Sequence, residues 1–433
     1  YNTAVGYKAG EAVTTGQQNT LIGAQAGDAL TTGENNVAIG LNALGTEDAH
    51  GYNVAVGHSA LAMQNAGANA YSVAVGYLAG GAITTGVRNN LIGAYCGDAL
   101  TEGSYNAAMG LNALTTDTKG SYNVALGDYS LATQNFTTVT SSHNVGVGHN
   151  TGASITTGIH NTLIGSQSGD ALIDADYNVT VGKSTLTTDT YGSKSTAIGY
   201  SALQTQNFTT ATDSYNTAVG YSAGGAVTTG TNNTFVGALS GDSTDDGAQN
   251  TAVGFYALSS NCGDENTAVG SNALYAVTGG TNTGIGSGAG TAVTSGSNNL
   301  LLGNMAGRTG SPGGEITTGS NEIVLGDENI TEAHIQVDWT VASDERDKTD
   351  IEDLDVGLEF VNQLQPKTYR WDQRSLYSNE QDVLPDGTYK KDQLDVGFLA
   401  QDVATLEEQL GFGKSDKKNL ISSLSEDGQM YGL

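Results

Sequence analysis

The sequence has little proline, little cysteine and few cationic side chains, and each shortage excludes a class of protein. Its 433 residues include 3 Pro, 2 Cys and 16 Lys or Arg, against 45 Asp or Glu. Two cysteines exclude a disulfide scaffold. A formal net charge of −29 argues against binding to nucleic acid, which needs a basic surface. No apolar run approaches the roughly 18 residues of a membrane span, so we expect no membrane insertion.

Glycine is abundant, with 61 residues, and its placement shows a repeat. The repeated unit is Asn-x-small-aliphatic-Gly-x-x-small, as in NTAVGYKA (2–9) and NTLIGAQA (19–26). Its glycine recurs nineteen times, mostly seventeen positions apart: Gly6, Gly23, Gly40, Gly57, Gly76, Gly93, Gly110, Gly127, Gly148, Gly165, Gly182, Gly199, Gly220, Gly237, Gly254, Gly270, Gly286, Gly303 and Gly326. A short fixed period is typical of a solenoid in which each unit forms one coil.

A longer period lies above the short one. Three spacings of seventeen positions are followed by one of nineteen or twenty-one, so four coils form one larger block. The wide coil carries an insertion, such as QNFTT at 134–138 and 206–210. We expect these insertions to bulge from one face of the solenoid at regular heights.

The positions of the unit predict different structural roles. The residue before glycine is always aliphatic or Met, which predicts an apolar column inside the stacked coils. The residue before that is also apolar, and neighbours on a strand face opposite sides. One side can be the interior, and the other then needs a partner, which favours a homotrimer. Cys96 occupies a slot filled by small residues and is predicted to be buried. The leading Asn predicts a side-chain amide ladder or a turn cap.

These coils resemble the left-handed β-roll head repeats of trimeric autotransporter adhesins, and a similar repeat occurs in phage tail-fibre proteins. The resemblance covers residues 1–326. It implies a mainly β protein with an adhesive function. Its fold would be a parallel, left-handed, trimeric β-roll solenoid of about nineteen coils, each with the short period described above.

Three features of the repeat leave alternatives open. Exposed Tyr side chains could stack on sugar rings, or they could pack between coils with their hydroxyl groups in water. The Thr pairs, as in AVTTG (12–16), could form an ice-binding face or solvated turns. Gly-Asp pairs such as Gly27-Asp28 are also found in calcium-binding rolls, but the full nonapeptide is missing. The six His are scattered, so we expect no metal and no cofactor.

The chemistry of the chain changes near its C-terminal end. Only six of the 16 cationic residues precede residue 341, and the stretch VASDERDKTDI follows immediately. HIQVDWTVAS (334–343) alternates apolar and polar residues and predicts a strand. Asp350 predicts the start of a helix over 351–364, which Pro366 would end. The segment 394–410 predicts a strand and then a helix, which gives a small α+β domain.

Three motifs in this region resemble the C-terminal intramolecular chaperone family of endosialidases, phage tail spikes and fibres. They are Ser343-Asp344-x-Arg346-x-Lys348, then Leu364-x-Pro366 with Tyr369-Arg370-Trp371, then Gly397-Phe398-Leu399-Ala400-Gln401-Asp402-Val403. The resemblance implies a domain that trimerises the fibre and then cuts itself off with a Ser–Lys dyad. Ser343 would be the nucleophile, Lys348 its general base, and Ala342–Ser343 the cleaved bond. In that family a strand and helices binding the three chains together would follow Leu433.

The chemistry of the dyad is coherent, because a serine hydroxyl needs a base and a neutral lysine can supply it. Four acidic residues crowd Lys348 and favour its protonated form unless they point away: Asp344, Glu345, Asp347 and Asp350. Self-cleavage and a solvated charged turn therefore both stand as interpretations. No other enzymatic activity is expected.

Together these features predict a homotrimeric phage tail fibre or spike, carried on the virion, that attaches to the host surface. Its partners would be a host cell-surface receptor, with glycans among the candidates, and other tail or fibre proteins at its N-terminal end. The predicted domains are the β-roll at 1–326, a connecting strand at 327–342, and the chaperone domain at 343–433. The alternatives are a bacterial trimeric surface adhesin and, less favoured, an ice-binding solenoid.

Overall fold

The structure, a computed structural model, describes residues 1–330, 332–333, 357–372 and 386–412, and the backbone of 423–424 and 431–432. The chain divides into two compact units. One comprises Tyr1–Asn304 with Ile316–Ile323, and the other Met305–Glu315 with Val324–Leu433. The domain boundaries expected at residues 326 and 342 stay predictions. The strand expected at 334–343 lies outside the described residues.

The repetitive region is built from short strands. In chain order these are β1 (Thr3–Val5), β2 (Thr20–Ile22), β3 (Val37–Ile39), β4 (Val54–Val56), β5 (Val73–Val75), β6 (Asn90–Ile92), β7 (Ala107–Met109), β8 (Gly120–Ser121), β9 (Val124–Leu126), β10 (Thr140–Ser141), β11 (Val145–Val147), β12 (Thr162–Ile164), β13 (Val179–Val181), β14 (Gly192–Ser193), β15 (Thr196–Ile198), β16 (Thr212–Asp213), β17 (Thr217–Val219), β18 (Thr234–Val236), β19 (Thr251–Val253), β20 (Thr267–Val269), β21 (Thr283–Ile285), β22 (Leu300–Leu302) and β23 (Ile323–Leu325).

One strand from each coil joins a single 19-stranded sheet. Successive strands pair in parallel, and each residue lies beside its counterpart one coil away, as Leu21 lies beside Ala38. The expected mainly β solenoid of about nineteen coils is therefore confirmed. Its left-handedness and its trimeric state stay predictions.

Each strand ends at the repeated glycine because the chain turns there with a positive φ, which residues with a side chain rarely adopt. Gly165 has a φ of +129°, and a Cβ on it would lie 2.2 Å from the carbonyl oxygen of Gly182 in the next coil. A side chain would thus meet both an unfavourable dihedral and the neighbouring backbone. The spacing between stacked coils therefore depends on this glycine.

The interior of the solenoid is thin and filled by small and aliphatic side chains. In the second coil Leu21, Ala26 and Leu30 are fully buried. Leu21 stands two residues before the repeated glycine, and Ala26 stands three residues after it. The small slot is occupied by buried residues in later coils too, including Cys96, which confirms the prediction for that cysteine.

The position of the residue immediately before glycine corrects a prediction. It forms a column, as expected, but the column lies on the outer face of the sheet. Ile22 and Ile164 keep 37% and 38% of their surface exposed, whereas Leu21 and Leu163 beside them are fully buried. Both positions are apolar, so hydropathy alone could not distinguish the inner from the outer position.

The leading Asn forms the predicted side-chain amide ladder inside the solenoid. Asn19 Oδ1 accepts the backbone N–H of Asn36 at 2.9 Å, and Asn36 Oδ1 accepts that of Asn53 at 3.0 Å. Each amide also crosses its own coil, since Asn19 Nδ2 donates to the carbonyl of Gly33 at 2.8 Å. The ladder satisfies backbone groups that would otherwise be buried without partners.

The wide coils carry small additional pairings at their insertions. β8 pairs in parallel with β10, and β14 pairs in parallel with β16. Buried carboxylates hold the insertions: Asp117 accepts the side-chain amide of Gln134 at 2.6 Å and the N–H of Phe136 at 3.4 Å. Gln134 in turn accepts the side-chain amide of Asn144 at 2.9 Å.

The second unit contains a small α+β arrangement. Helix α1 (Gly357–Gln363) precedes β24 (Lys367–Tyr369), β25 (Asp395–Gly397) and helix α2 (Ala400–Gln409). β24 and β25 pair antiparallel, as do β26 (Ser423–Leu424) and β27 (Tyr431–Gly432). The strand and helix expected within 394–410 are confirmed. Of the helix expected over 351–364, residues 351–356 lie outside the described part of the chain. Residues 357–363 are helical, and this helix ends before Pro366 as predicted.

Candidate interaction surfaces

The solenoid presents a continuous apolar column on the outer face of its sheet, here called the outer stripe. It consists of the residues immediately before the repeated glycines, from the first coil to the one that ends at Gly303: Val5, Ile22, Ile39, Val56, Val75, Ile92, Met109, Leu126, Val147, Ile164, Val181, Ile198, Val219, Val236, Val253, Val269, Ile285 and Leu302. Twelve of them are exposed by 36–59%. Because neighbouring strands lie about 4.8 Å apart, these side chains form an unbroken band. An extended apolar band on a protein surface marks an interaction site.

A second surface feature is a ladder of stacked rings just before the strands. Tyr105, Tyr122, His143, His160 and Tyr177 follow one another with ring centroids 4.9, 5.0, 5.3 and 5.0 Å apart. Neighbouring planes differ by 7–14°. The rings cover one another's faces and turn their edges outward. For these residues packing between coils is confirmed, and the faces that lie between neighbouring rings are not open to a sugar ring.

Arg88, one coil before Tyr105, extends the ladder of rings by one more side chain. The guanidinium of Arg88 lies 5.3 Å from the centroid of the Tyr105 ring, and its Nη1 donates to the Tyr105 hydroxyl at 2.9 Å. A cation over a ring face at this distance adds about 0.5–1 kcal/mol at an exposed site. The ladder therefore contributes mainly to cohesion between coils.

The Thr pairs and the Gly-Asp pairs also serve contacts between coils. Thr14 Oγ1 donates to the carbonyl of Thr31 at 3.0 Å, and Thr31 Oγ1 donates to that of Asp48 at 2.9 Å. Asp98 accepts the hydroxyl of Thr115 at 2.6 Å. These groups behave as turn residues, and neither an ice-binding nor a calcium-binding role is needed to explain them.

The two cysteines are free and buried. Burial raises the pKa of the Cys96 thiol to about 12 and raises the pKa of Cys262 as well. A thiol is a nucleophile or metal ligand only as thiolate. Neither cysteine is therefore suited to a reactive role.

Sequence reasoning missed one group of possible metal ligands. Within the described part of the chain, Glu47, Asp48 and His50 place one ligand atom each within 4.8 Å of one another. The sequence carries the signal as EDAH (47–50), in which two carboxylates lie close to a single histidine.

In the second unit, a small core holds the helices together. Phe360 of α1 packs with Val403 and Leu406 of α2, and Leu364 and Leu410 lie against them. Tyr369 and Trp371, from one predicted motif, meet edge to face with centroids 5.5 Å apart. The second and third motifs thus contribute parts of one small folded arrangement.

The same unit also exposes apolar side chains. Leu358 and Val361 of α1 and Val396 of β25 are 58–74% exposed. The predicted cleavage residues Ala342, Ser343 and Lys348 lie outside the described residues. Within the described part of the chain, no helix combines the length and apolar character that crossing a bilayer requires.

Comparison with known proteins identifies the C-terminal region. Residues 343–411 match the family described as the chaperone of endosialidase. No curated protein matches the chain. The match begins at Ser343 and includes α1, β24, β25 and α2, which confirms the resemblance suggested by the three motifs. A β-solenoid followed by this segment fits a tail spike with a C-terminal chaperone domain.

Proposed function

We propose that the protein is the subunit of a homotrimeric phage tail fibre or spike that attaches the virion to the host surface. The observation that carries this proposal is the order of its parts, a long solenoid followed by an endosialidase-type chaperone segment. The receptor would be a molecule on the host surface, with glycans among the candidates. Other tail proteins would hold the N-terminal end of the fibre.

The outer stripe supports the trimer. Many aliphatic side chains remain partly exposed along the whole sheet, and burying apolar surface stabilises association by about 25 cal/mol per Å². The family matched at the C-terminal end is associated with trimer formation. In the proposed assembly, three copies turn their stripes toward a common axis. Each stripe is then covered by the other two.

The chaperone segment would drive this assembly, because three separate solenoids need to be brought into register before their stripes can pack. A chain that ends at Ala342 tests this role. We expect it to be recovered as monomer or aggregate, whereas the full chain is recovered as trimer under the same expression conditions. Equal trimer yield from the shortened chain would contradict the chaperone role.

Self-cleavage is a separate part of the proposal. Ser343 would attack the carbonyl carbon of Ala342 while Lys348 accepts the hydroxyl proton. The peptide nitrogen leaves with a proton, and water hydrolyses the resulting ester. This reaction would release the chaperone segment after the trimer has formed.

The mass of the denatured chain after folding tests cleavage. We expect two fragments that separate between Ala342 and Ser343 in the natural sequence, and one intact chain in Ser343→Ala. Ser375→Ala is the matched control and is expected to be cleaved normally. An intact natural chain after complete trimer assembly would refute cleavage and leave the chaperone role standing.

A further inference from the structure

The first four-coil block differs from the later two at one turn. In the third coil of each block the same buried position holds Glu47, Asp117 or Asp189. One residue later the chain has Asp48, where the other blocks have Thr118 and Thr190, and three residues later it has His50, where they have Gly120 and Gly192. Three possible metal ligands are thus concentrated in the first block alone.

In the later blocks the buried carboxylate has partners for both oxygens. Asp189 Oδ2 accepts the side-chain amide of Gln206 at 2.6 Å, and its Oδ1 accepts the N–H of Gly192 at 2.9 Å. Asp117 makes the same two contacts, with Gln134 and Gly120. Both oxygens of each of these two carboxylates therefore have hydrogen-bond partners within the protein.

In the first block one oxygen of the equivalent carboxylate, that of Glu47, lacks a hydrogen-bond partner. Glu47 is fully buried, yet its Oε2 has no hydrogen-bond partner. The equivalent glutamine, Gln64, donates instead to the carbonyl of Gly86 at 2.9 Å, and its own Oε1 also lacks a partner. A buried unpaired carboxylate oxygen costs free energy, so a ligand at this oxygen would be favourable.

The second carboxylate oxygen of Glu47, Oε1, lies beside the ring of His50 at a separation that suits two ligands of one metal ion. Glu47 Oε1 accepts the backbone N–H of His50 at 3.1 Å and lies 3.2 Å from His50 Nδ1. Two ligands about 2.0 Å from a tetrahedral ion lie about 3.3 Å from each other. The His50 side chain is 25% exposed and Asp48 is exposed. An ion could therefore enter from solvent and keep water as a further ligand.

We propose that Glu47, Asp48 and His50 form a binding site for a divalent transition-metal ion of the zinc class. The mixture of imidazole nitrogen and carboxylate oxygen favours zinc-like ions, whereas calcium and magnesium prefer oxygen ligands alone. The bound ion fixes the turn that precedes the first insertion. There it replaces the polar contacts that Gln134 and Gln206 provide in the later blocks.

Calorimetric titration of the full chain with Zn²⁺ tests the site. We expect one ion per chain at this site, and a loss of at least about 100-fold in affinity in His50→Gly, because even outer-shell changes cost 10–100-fold. Asp48→Thr is expected to weaken binding in the same direction. Each variant introduces the residue that the two later blocks have at the equivalent position, so the fold accommodates both substitutions.

A second measurement separates this site from other histidines and from a simple Glu47–His50 hydrogen bond. Zn²⁺ is expected to raise the melting temperature of the natural chain and of His149→Ala, the matched control, since an ion that binds only the folded state stabilises it. It should leave the melting temperature of His50→Gly unchanged. Equal zinc affinity and equal stabilisation in His50→Gly, or no zinc binding to the natural chain, would overturn the proposal.

Discussion

The side-chain oxygen of Asn161 accepts the backbone N–H of Asn178, one coil further along the solenoid, at 3.0 Å. The amide nitrogen of Asn161 donates to the carbonyl of Ala175 within its own coil at 2.7 Å. One side chain therefore joins two successive coils and also closes one of them. Both residues are fully buried, so water cannot replace either contact.

Replacing Asn161 with Ala is expected to destabilise the solenoid strongly. The change leaves the N–H of Asn178 and the carbonyl of Ala175 buried without partners, at about 1–3 kcal/mol each. We expect the free energy of unfolding to fall by about 2–6 kcal/mol and the Asn178 amide to exchange faster with solvent. Asn65→Ala, at an exposed position, is the control. Equal stability of the two variants would show that the ladder is dispensable.

Replacing Gly165 with Ala is expected to cost more than replacing Gly67 with Ala. Both glycines have positive φ, +129° and +68°. A Cβ on Gly165 would meet the next coil at 2.2 Å, whereas one on Gly67 has nothing within 4 Å. Gly67→Ala therefore shows the cost of a positive φ without a steric clash, about 1–3 kcal/mol. Thermal unfolding of both variants measures the difference, and similar losses would refute the role of coil spacing.

The cysteines are expected to resist thiol reagents in the folded protein. A pKa of about 12 for Cys96 leaves about a thousandfold less thiolate at pH 8 than an ordinary cysteine with a pKa of about 8.5. Labelling with a disulfide reagent should thus be slow for the native chain and fast after denaturation. Rapid native labelling of Cys96 would contradict its position in the interior.

The pH dependence of stability is expected to reflect Asp117. Burial raises the pKa of this carboxyl above its usual value, although hydrogen bonds from Gln134 and Gly120 oppose the shift. The folded state therefore binds the proton more tightly than the unfolded state. The resulting stability is fully present below the unfolded pKa of about 3.9 and is lost as pH rises through the folded pKa.

Asp117→Asn removes this titration. Compared with the natural chain, the variant should become relatively more stable as pH rises from about 4. Chemical unfolding at a series of pH values measures this difference, and Asp246→Asn, at an exposed position, controls for loss of charge. A difference that stays constant with pH, or that moves in the opposite direction, would contradict the assignment.

The fold was largely predictable from the sequence because glycine and asparagine recur with the period of the coil. Two relationships between neighbouring coils explain why each unit needs both residue types. The side chain of Asn19 accepts the N–H of Asn36, and the backbone of Gly182 lies too close to Gly165 for a side chain there. The inner and outer positions of the strand could not be assigned in the same way. Leu21 and Ile22 are both apolar, and the path of the chain at its corners decides which one faces inward.

The candidate sites were less predictable. The chaperone segment was recognisable because its motifs hold fixed residues in a fixed order, and Tyr369 does pack with Trp371. The possible metal site was missed because the residues EDAH (47–50) alone do not show that one oxygen of Glu47 lacks a hydrogen-bond partner. That lack becomes visible only when the partners of Asp117 and Asp189 are known.

The native mass of the folded protein, measured by light scattering during size-exclusion chromatography, tests the central claim most directly. We expect the natural chain to have the mass of three subunits, and Ile164→Asp in the outer stripe to reduce assembly because it places a charge in an apolar contact. Val139→Asp, also exposed but just after the insertion at 134–138, should remain trimeric. A stable, folded monomer of the natural chain at micromolar concentration would contradict the account.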